Sequence, residues 1–262
     1  MKVDVFDLNG KPTGKIELPK VFSEQVREDL IRRAVISAQS NRRQPYGTDP
    51  YAGMRSSAHY HGYRRHRYAM MNKEMARMPR IHGKTSPNLT WRPRLVPQAV
   101  KGREAFPPLV TKVWAQKIND KERKKAIRSA IAATAVKEIV AKRGHKFSAE
   151  VPIVVDDGLQ SLKKARDVIA FFKKIGLDAE LKRISEKKVR AGRGKTRGRK
   201  YKKKTGPLVV FAEDKGIVRA AKNLQGVNVC KAGNLSAELL APGTMPGRLT
   251  IFTESAIKKL GE

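Results

Sequence analysis

The chain has 262 residues, of which 57 are lysine or arginine and 24 are aspartate or glutamate, so its formal net charge at pH 7 is +33. A charge of this size destabilises a compact protein unless a polyanion balances it, and an ordinary cytosolic enzyme needs no such field. A nucleic-acid backbone is the favoured polyanion and a membrane surface is the alternative, although no apolar run reaches the ~18 residues of a membrane span.

Most of the charge lies in two segments. The first basic segment, Arg42 to Phe106, has 14 basic and 3 acidic residues, and the second basic segment, Lys187 to Lys204, has 11 basic residues and no acid. The remaining residues suffice for one well-buried domain. We therefore predict one globular domain over residues 1–262, with an extended RNA-binding loop at 42–106 and a flexible basic loop at 187–204.

The N-terminal region has the pattern of a hairpin followed by a helix. Lys2 to Phe6 alternates as a strand does, and Lys15 to Leu18 is placed to pair back after the Asn9-Gly10 turn. Ser23 is predicted to cap a helix that continues to about Ser40. Its predicted apolar face consists of Val26, Leu30, Ala34 and Ala38. Residues 1–10 lack the pattern of a signal peptide, and we expect a cytoplasmic protein.

The first basic segment is predicted to lack a core of its own. It contains six Val, Ile, Leu or Phe among 65 residues, together with six prolines and five glycines. Such a segment has too little apolar area to offset its ordering entropy, so we expect it to fold on a partner or to stay mobile. A loop of this length usually has a function.

Beyond this segment, strands and helices alternate. Leu109 to Ile118 is predicted to be a short helix, and Asn119 with Glu122 has the capping-box pattern of a long helix that ends near Gly144. Alternation of this kind predicts an α/β fold, a mostly parallel sheet with helices on both faces. The predicted strands are 151–155, 178–184 (short or at an edge), 208–211, 227–230 and 249–252, and the predicted helices are 161–175, 215–223, 232–240 and 253–260. Acids at three strand ends, Asp156, Glu213 and Glu254, are expected to cap the helices that follow.

The first basic segment combines cations with flat rings. Five of the six tyrosines and four of the five histidines lie in it. Aromatic and guanidinium planes stack on unpaired bases while Lys and Arg reach phosphates, so we favour RNA binding over a plain disordered tail. His59, His61, His66 and His82 raise the question of a metal site. With no cysteine nearby and many cations around, the sequence favours no metal there.

Motifs of enzymes are absent from the places where they would be needed. Gly194-Lys195-Thr196 resembles the end of a phosphate-binding loop, but position 189 is valine and no strand or helix is predicted beside it. A basic arm on phosphates explains this stretch better. The Asp156-Asp157-Gly158 turn lacks a dinucleotide-binding glycine pattern, and no catalytic triad is evident. The single cysteine, Cys230, is predicted to be buried and excludes an internal disulfide. We predict neither a cofactor nor an enzyme.

Several motifs are similar to those of one known family. They are Ser37-Ala38-Gln39-Ser40-Asn41-Arg42-Arg43-Gln44-Pro45-Tyr46-Gly47, Ala52-Gly53-Met54-Arg55, Arg77-Met78-Pro79-Arg80, Val96-Pro97-Gln98-Ala99-Val100-Lys101-Gly102-Arg103, Phe106-Pro107-Pro108 and Val151-Pro152-Ile153-Val154-Val155-Asp156-Asp157. In this order they make the whole chain resemble the universal large-subunit ribosomal protein L-four family, in its archaeal and eukaryotic form.

The resemblance implies a structural constituent of the large ribosomal subunit that supports its assembly. Its partners would be large-subunit ribosomal RNA, neighbouring ribosomal proteins and, near the loop tip at about Tyr63 to Arg80, the nascent peptide in the exit tunnel. An RNA-binding regulator of its own messenger is the alternative. The residues expected to bind RNA are Arg42, Arg43, Tyr46, Arg55, Tyr63, Arg64, Arg65, Arg67, Tyr68, Arg77, Arg80, Lys84, Trp91, Arg92, Arg94, Lys101, Arg103, Arg193, Lys195, Arg197, Arg199 and Lys200.

Overall fold

A six-stranded sheet organises the computed structural model, which describes residues 1–261. The strands of the chain are β1 (Lys2–Phe6), β2 (Pro12–Glu17), β3 (Ile153–Val155), β4 (Lys188–Val189), β5 (Tyr201–Lys202), β6 (Leu208–Phe211), β7 (Asn228–Lys231) and β8 (Thr250–Thr253). In the six-stranded sheet they lie in the order β2-β1-β3-β8-β6-β7, and β1 pairs with β2 antiparallel while every other pair of this sheet is parallel. The predicted α/β class is confirmed.

Helices connect the parallel strands. They are α1 (Glu28–Asn41), α2 (Asp120–Ala135), α3 (Lys137–Lys142), α4 (Ala165–Lys174), α5 (Asp178–Ser185), α6 (Ile217–Lys222), α7 (Ala237–Leu240) and α8 (Glu254–Gly261). None of the described helices is long and apolar enough to cross a membrane.

Each face of the sheet has its own core. Alternate residues of β3 separate the two, since Val154 belongs to one apolar cluster while Ile153 and Val155 belong to the other. The first cluster includes α1, α2 and α8, and the second includes α4 and α6. The central strands β3, β6 and β8 are fully buried, which explains their continuous apolar runs. Cys230 is buried, as predicted.

Two predicted helix starts are wrong or incomplete. Ser23 ends a short 3₁₀ turn, and α1 begins only at Glu28, because the Arg27 amide donates to Ser129 Oγ at 2.7 Å. A side chain of α2 thus replaces the local cap. The buried face of α1 is also shifted to Ile31, Ala34, Val35 and Ser37. At α2, Asn119 holds the cap position without a side-chain cap hydrogen bond.

Three further predictions of elements are corrected. Leu109 to Ile118 forms no helix, and several of its apolar side chains remain exposed. The long helix breaks at Val136, whose backbone is extended, so α2 and α3 are separate. Residues 178–184, predicted as a strand, form α5. Asp178 and Glu180 in its first turn and basic residues in its last turn suit the helix dipole.

The acidic turns cap helices in a partly different way from that predicted. Asp156 accepts from the Asp157 amide at 2.7 Å and caps a 3₁₀ turn. At the next turn Asp214, and not Glu213, accepts from the Gly216 amide at 2.9 Å. Glu254 lies in the first turn of α8, where a carboxylate interacts favourably with the helix dipole.

The chain divides into two compact units. The body is Met1–Arg42 with Ala115–Glu262, and the loop unit is Arg43–Trp114. Turns dominate the loop unit, and its extended pairing consists of the isolated bridges His59↔Arg80 and Arg80↔Pro93. Within the body, the second basic segment forms a short antiparallel hairpin in which Lys188 pairs with Lys202 and Val189 with Tyr201.

Candidate nucleic-acid interface

Most of the residues predicted to bind RNA have exposed side chains. In the loop unit and at its start, these are Arg42, Arg43, Tyr46, Arg55, Tyr63, Arg64, Arg65, Arg67, Arg77, Lys84, Arg92, Lys101 and Arg103. In the second basic segment they are Arg193, Lys195, Arg197, Arg199 and Lys200. Two of the cations are already paired, Arg42 with Glu238 and Arg55 with Asp49. Such exposed pairs contribute little to stability and can exchange an acid for a phosphate.

The other four predicted residues are half-buried and hold the loop unit together. Arg80 donates from Nη1 to the Trp91 carbonyl at 2.9 Å and from Nη2 to the Ala76 carbonyl at 3.1 Å. Arg94 donates to the Val100 carbonyl at 2.6 Å. The rings of Tyr68 and Trp91 meet edge to face, with centroids 5.9 Å apart. These side chains shape the surface that presents the exposed cations.

Next to Tyr68, three histidines meet. The ring centroids of His59, His61 and His82 lie 4.3 to 4.5 Å apart, and Tyr68 stacks on His82 at 4.3 Å. Burial lowers the pKa of His82, and the neighbouring His59 and His61 lower it further. His66 lies elsewhere, beside Tyr63. All four histidines of the first basic segment are candidate ligands by sequence, and the fold brings three of them together and leaves His66 apart.

Trp114 forms a second aromatic site in the loop unit. Its ring stacks on Tyr46 at 5.7 Å with an interplanar angle of 20°. The guanidinium of Arg43 lies 3.7 Å from the Trp114 centroid, and Lys112 lies 4.4 Å from it. Trp114 and Lys112 are not among the predicted RNA-binding residues, because the stretch that contains them was predicted to be a helix. The spacing of a lone tryptophan between lysines was the available signal.

A basic cavity of about 550 Å³ lies in the body where the second basic segment begins and ends. Its lining includes Arg143, His145, Arg183, Lys188 and the run Lys202 to Lys204. A concave surface with this many cations attracts a phosphate more strongly than scattered surface lysines do. Sequence reasoning missed Arg143 and Arg183, since helices and hydrogen bonds distant in the chain bring them together.

A buried carboxylate holds the wall of this cavity. Glu180 is fully buried and accepts from Arg183 Nη2 at 2.6 Å, from the Lys146 amide at 3.0 Å and from His145 Nδ1 at 2.7 Å. Arg183 also donates to the Thr205 carbonyl at 2.6 Å, just after the second basic segment. Burial raises the pKa of Glu180, but the hydrogen bonds outweigh burial and lower that pKa from 4.5 to about 2. His145 is neutral at pH 7, because burial lowers its pKa.

Glu180→Gln should destabilise the body at pH 7 by about 3 kcal/mol, because it leaves Arg183 without its buried anion. The pKa of the folded state lies below that of the unfolded state, so this stabilisation is present above pH 4.5 and is lost as the pH falls toward 2. Urea unfolding at pH 7, 4.5 and 3 measures it. The difference between wild type and variant should shrink across that range.

Glu138→Gln, an exposed site on α3, is the matched control and should change stability by less than about 0.5 kcal/mol. A Glu180→Gln variant that unfolds at the wild-type urea concentration at pH 7 would show that the carboxylate has no such role.

Known proteins match the chain over nearly its full length. A family model described as "Ribosomal protein L4/L1 family" matches residues 16–262. A protein of Archaeoglobus fulgidus named large ribosomal subunit protein uL4 is 49% identical over 267 residues, covering 100% of this chain and 99% of that protein. Proteins of the same name from Methanopyrus kandleri and Haloquadratum walsbyi are 49% and 45% identical, each covering 100% of this chain and 98% and 100% of their own lengths.

Proposed function

Because this chain belongs to the ribosomal protein L4/L1 family, we propose that it is a structural constituent of the large ribosomal subunit in the cytoplasm. Its partners in this role are large-subunit ribosomal RNA and neighbouring ribosomal proteins. The role is architectural. The body docks on RNA, the loop unit becomes ordered within the RNA, and no reaction is catalysed. Co-sedimentation with large subunits in high salt tests this directly, and a chain released with the loosely bound fraction would contradict it.

The observation that carries the proposal is the separation of roles among the basic residues of the loop unit. Arg80 and Arg94 donate to backbone carbonyls of the loop unit itself. Arg64, Arg65 and Arg67 are exposed around a single turn. A surface of exposed guanidinium groups, on a backbone that other arginines hold and beside stacked rings, suits RNA, where phosphates set position and unpaired bases stack.

The tip of the loop unit is the part that we assign to the peptide exit tunnel. Tyr63 is 79% exposed, and within the part of the chain that the structure describes Arg64, Arg65 and Arg67 form no ion pair with a carboxylate. In this proposal Arg64, Arg65, Arg67 and Arg77 contact RNA at the tunnel wall, and a side chain near Tyr63 meets the nascent peptide. Crosslinking from a photoreactive residue at position 63 to a stalled nascent chain tests the assignment.

An apolar stretch near the end of the loop unit supports a protein or RNA neighbour there. Phe106 is 94% exposed and Val113 is 82% exposed, with Leu109 and Val110 also open to solvent. Exposed apolar side chains that cluster in this way mark interaction surfaces. We assign this stretch to contact with a neighbouring component of the subunit.

The second basic segment should contribute to RNA affinity through charge alone. Replacing Arg193, Lys195 and Arg197 by alanine should reduce the slope of log affinity against log salt by about 2, since each phosphate contact contributes about 0.7 on single-stranded RNA. Filter binding of a large-subunit RNA fragment between low and physiological salt measures the slope.

The control for this experiment removes three exposed lysines of the N-terminal region, Lys2, Lys11 and Lys20. It lowers the net charge by the same amount. An equal loss of slope in both variants would show that overall charge, and not the position of the second basic segment, determines the affinity.

A further inference from the structure

The three histidines of the loop unit present their ring nitrogens to a common point. One nitrogen from each of His59, His61 and His82 lies within 4.8 Å of the other two. The Nε2 atoms of His61 and His82 face each other at 2.6 Å. Tetrahedral coordination at about 2.0–2.1 Å per bond sets the nitrogens roughly 3.3 Å apart. Ring rotations that move each nitrogen by about 1 Å would therefore bring all three to one ion.

Neighbouring groups restrict the orientation of two of the three rings. His59 Nδ1 donates to the Ser57 carbonyl at 3.3 Å, which leaves the lone pair on Nε2. Tyr68 stacks flat on His82, with 17° between the ring planes. A hydrogen bond from the second ring nitrogen to a backbone carbonyl is the usual support of a histidine ligand, and the Tyr68 ring additionally restricts the imidazole of His82.

We propose that His59, His61 and His82 bind one divalent transition-metal ion of the zinc type. Imidazole nitrogen is a ligand of zinc, copper, nickel and iron, whereas magnesium and calcium take oxygen. Three protein ligands leave a fourth position for water. No carboxylate or thiolate belongs to the cluster, so the site differs from the closed cysteine cages of structural zinc modules.

The ion would join two stretches that are distant in the chain. His59 and His61 lie in one stretch of the loop unit, and His82 lies in another, 21 residues beyond His61. Among the described residues, the backbone pairing between these stretches is the isolated bridge His59↔Arg80. A metal that binds the folded arrangement stabilises it by mass action and closes the turn that carries Arg64 to Arg77.

Cobalt titration of the full, tag-free chain tests the proposal. After chelator treatment and removal of the chelator, Co²⁺ should give the visible absorption of a four-coordinate ion, saturate at one equivalent and be displaced by Zn²⁺. His59→Ala and His82→Ala should each weaken binding at least about 100-fold, since loss of even an outer-shell partner costs about 10- to 100-fold. His66→Ala is the matched control and should bind as the wild type does.

A second readout does not depend on the folding of the His59→Ala and His82→Ala variants. Zn²⁺ should protect the wild-type loop unit from trypsin at Arg64, Arg65 and Arg67, and it should do the same for His66→Ala. The proposal is overturned if the wild type takes up no cobalt, if its spectrum contains a thiolate charge-transfer band from Cys230, or if His82→Ala binds as tightly as His66→Ala.

Discussion

Removing residues 43–114 should leave a folded body that no longer supports assembly of the large subunit. Both apolar clusters are formed by body residues, so the body retains its core. The cut ends are also close, since the Gln116 amide donates to Asn41 Oδ1 at 2.8 Å and Ser37 Oγ donates to the Gln116 carbonyl at 2.7 Å. A linker of about four Gly and Ser residues, reaching roughly 10–12 Å, therefore joins Arg42 to Ala115 without strain.

The deleted chain should unfold near the wild-type urea concentration but bind large-subunit RNA at least about 100-fold more weakly at physiological salt, because it lacks most of the exposed arginines that we expect to bind RNA. Reconstitution of the subunit followed by sedimentation measures the functional loss. A smaller deletion, residues 191–199 of the second basic segment, serves as the control and should assemble more nearly normally. Full-sized subunits formed with the loop-deleted chain would refute the role that we give to the loop unit.

The architecture was predictable wherever one physical effect, such as burial on both faces of a strand, determined the local sequence pattern. The buried runs Val151 to Val155 and Leu208 to Phe211 are apolar on both faces, and both became central strands of a largely parallel sheet. The alternation of Lys2 to Phe6 with the Asn9-Gly10 turn likewise gave the antiparallel hairpin. In these places the tertiary structure agrees with the local pattern.

The errors arose where contacts distant in the chain overrule local signals. Ser23 is a good local cap, but Ser129 of α2 satisfies the Arg27 amide and moves the helix start to Glu28. Residues 178–184 are predicted as a short or edge strand from their place in the alternation of strands and helices. The burial of Glu180 against Arg183 and His145 instead selects a helix. A buried charge of this kind cannot be read from one segment alone.

The same limit applies to the candidate site. Composition located the basic and aromatic residues, and most of them are exposed in the structure. Composition did not distinguish Arg80, which supports the loop unit through the Trp91 carbonyl, from Arg64, which is free to reach outward. Nor did spacing bring His82 to His61, because 21 residues of turns separate them. Whether a cation binds RNA or backbone depends on which carbonyls the fold leaves without donors.

Arg248 is a body residue that shows this dependence most clearly. It is 1% exposed, and its guanidinium donates to the Gly206 carbonyl at 2.9 Å, the Leu239 carbonyl at 2.9 Å and Asn228 Oδ1 at 2.6 Å. Burial lowers its pKa from 12.5 to about 10, so it remains charged at pH 7. Neutral oxygens from three separate stretches thus surround the cation, and they include Gly206, which follows the second basic segment.

Arg248→Met should destabilise the body by about 4 kcal/mol. Methionine fills most of the volume but leaves several buried oxygens without a donor, at about 1–3 kcal/mol each. The free energy of unfolding of a typical domain is only about 5–15 kcal/mol, so the midpoint of urea unfolding should shift strongly.

Arg219→Met, a change at an exposed arginine of α6, is the control and should alter stability little. Arg248→Lys should fall between the two, because one ammonium keeps the charge but cannot reach oxygens that lie on three sides of a planar guanidinium. If Arg248→Met and Arg219→Met unfold together, water must replace the guanidinium at no cost, and this arginine does not hold Gly206 in place.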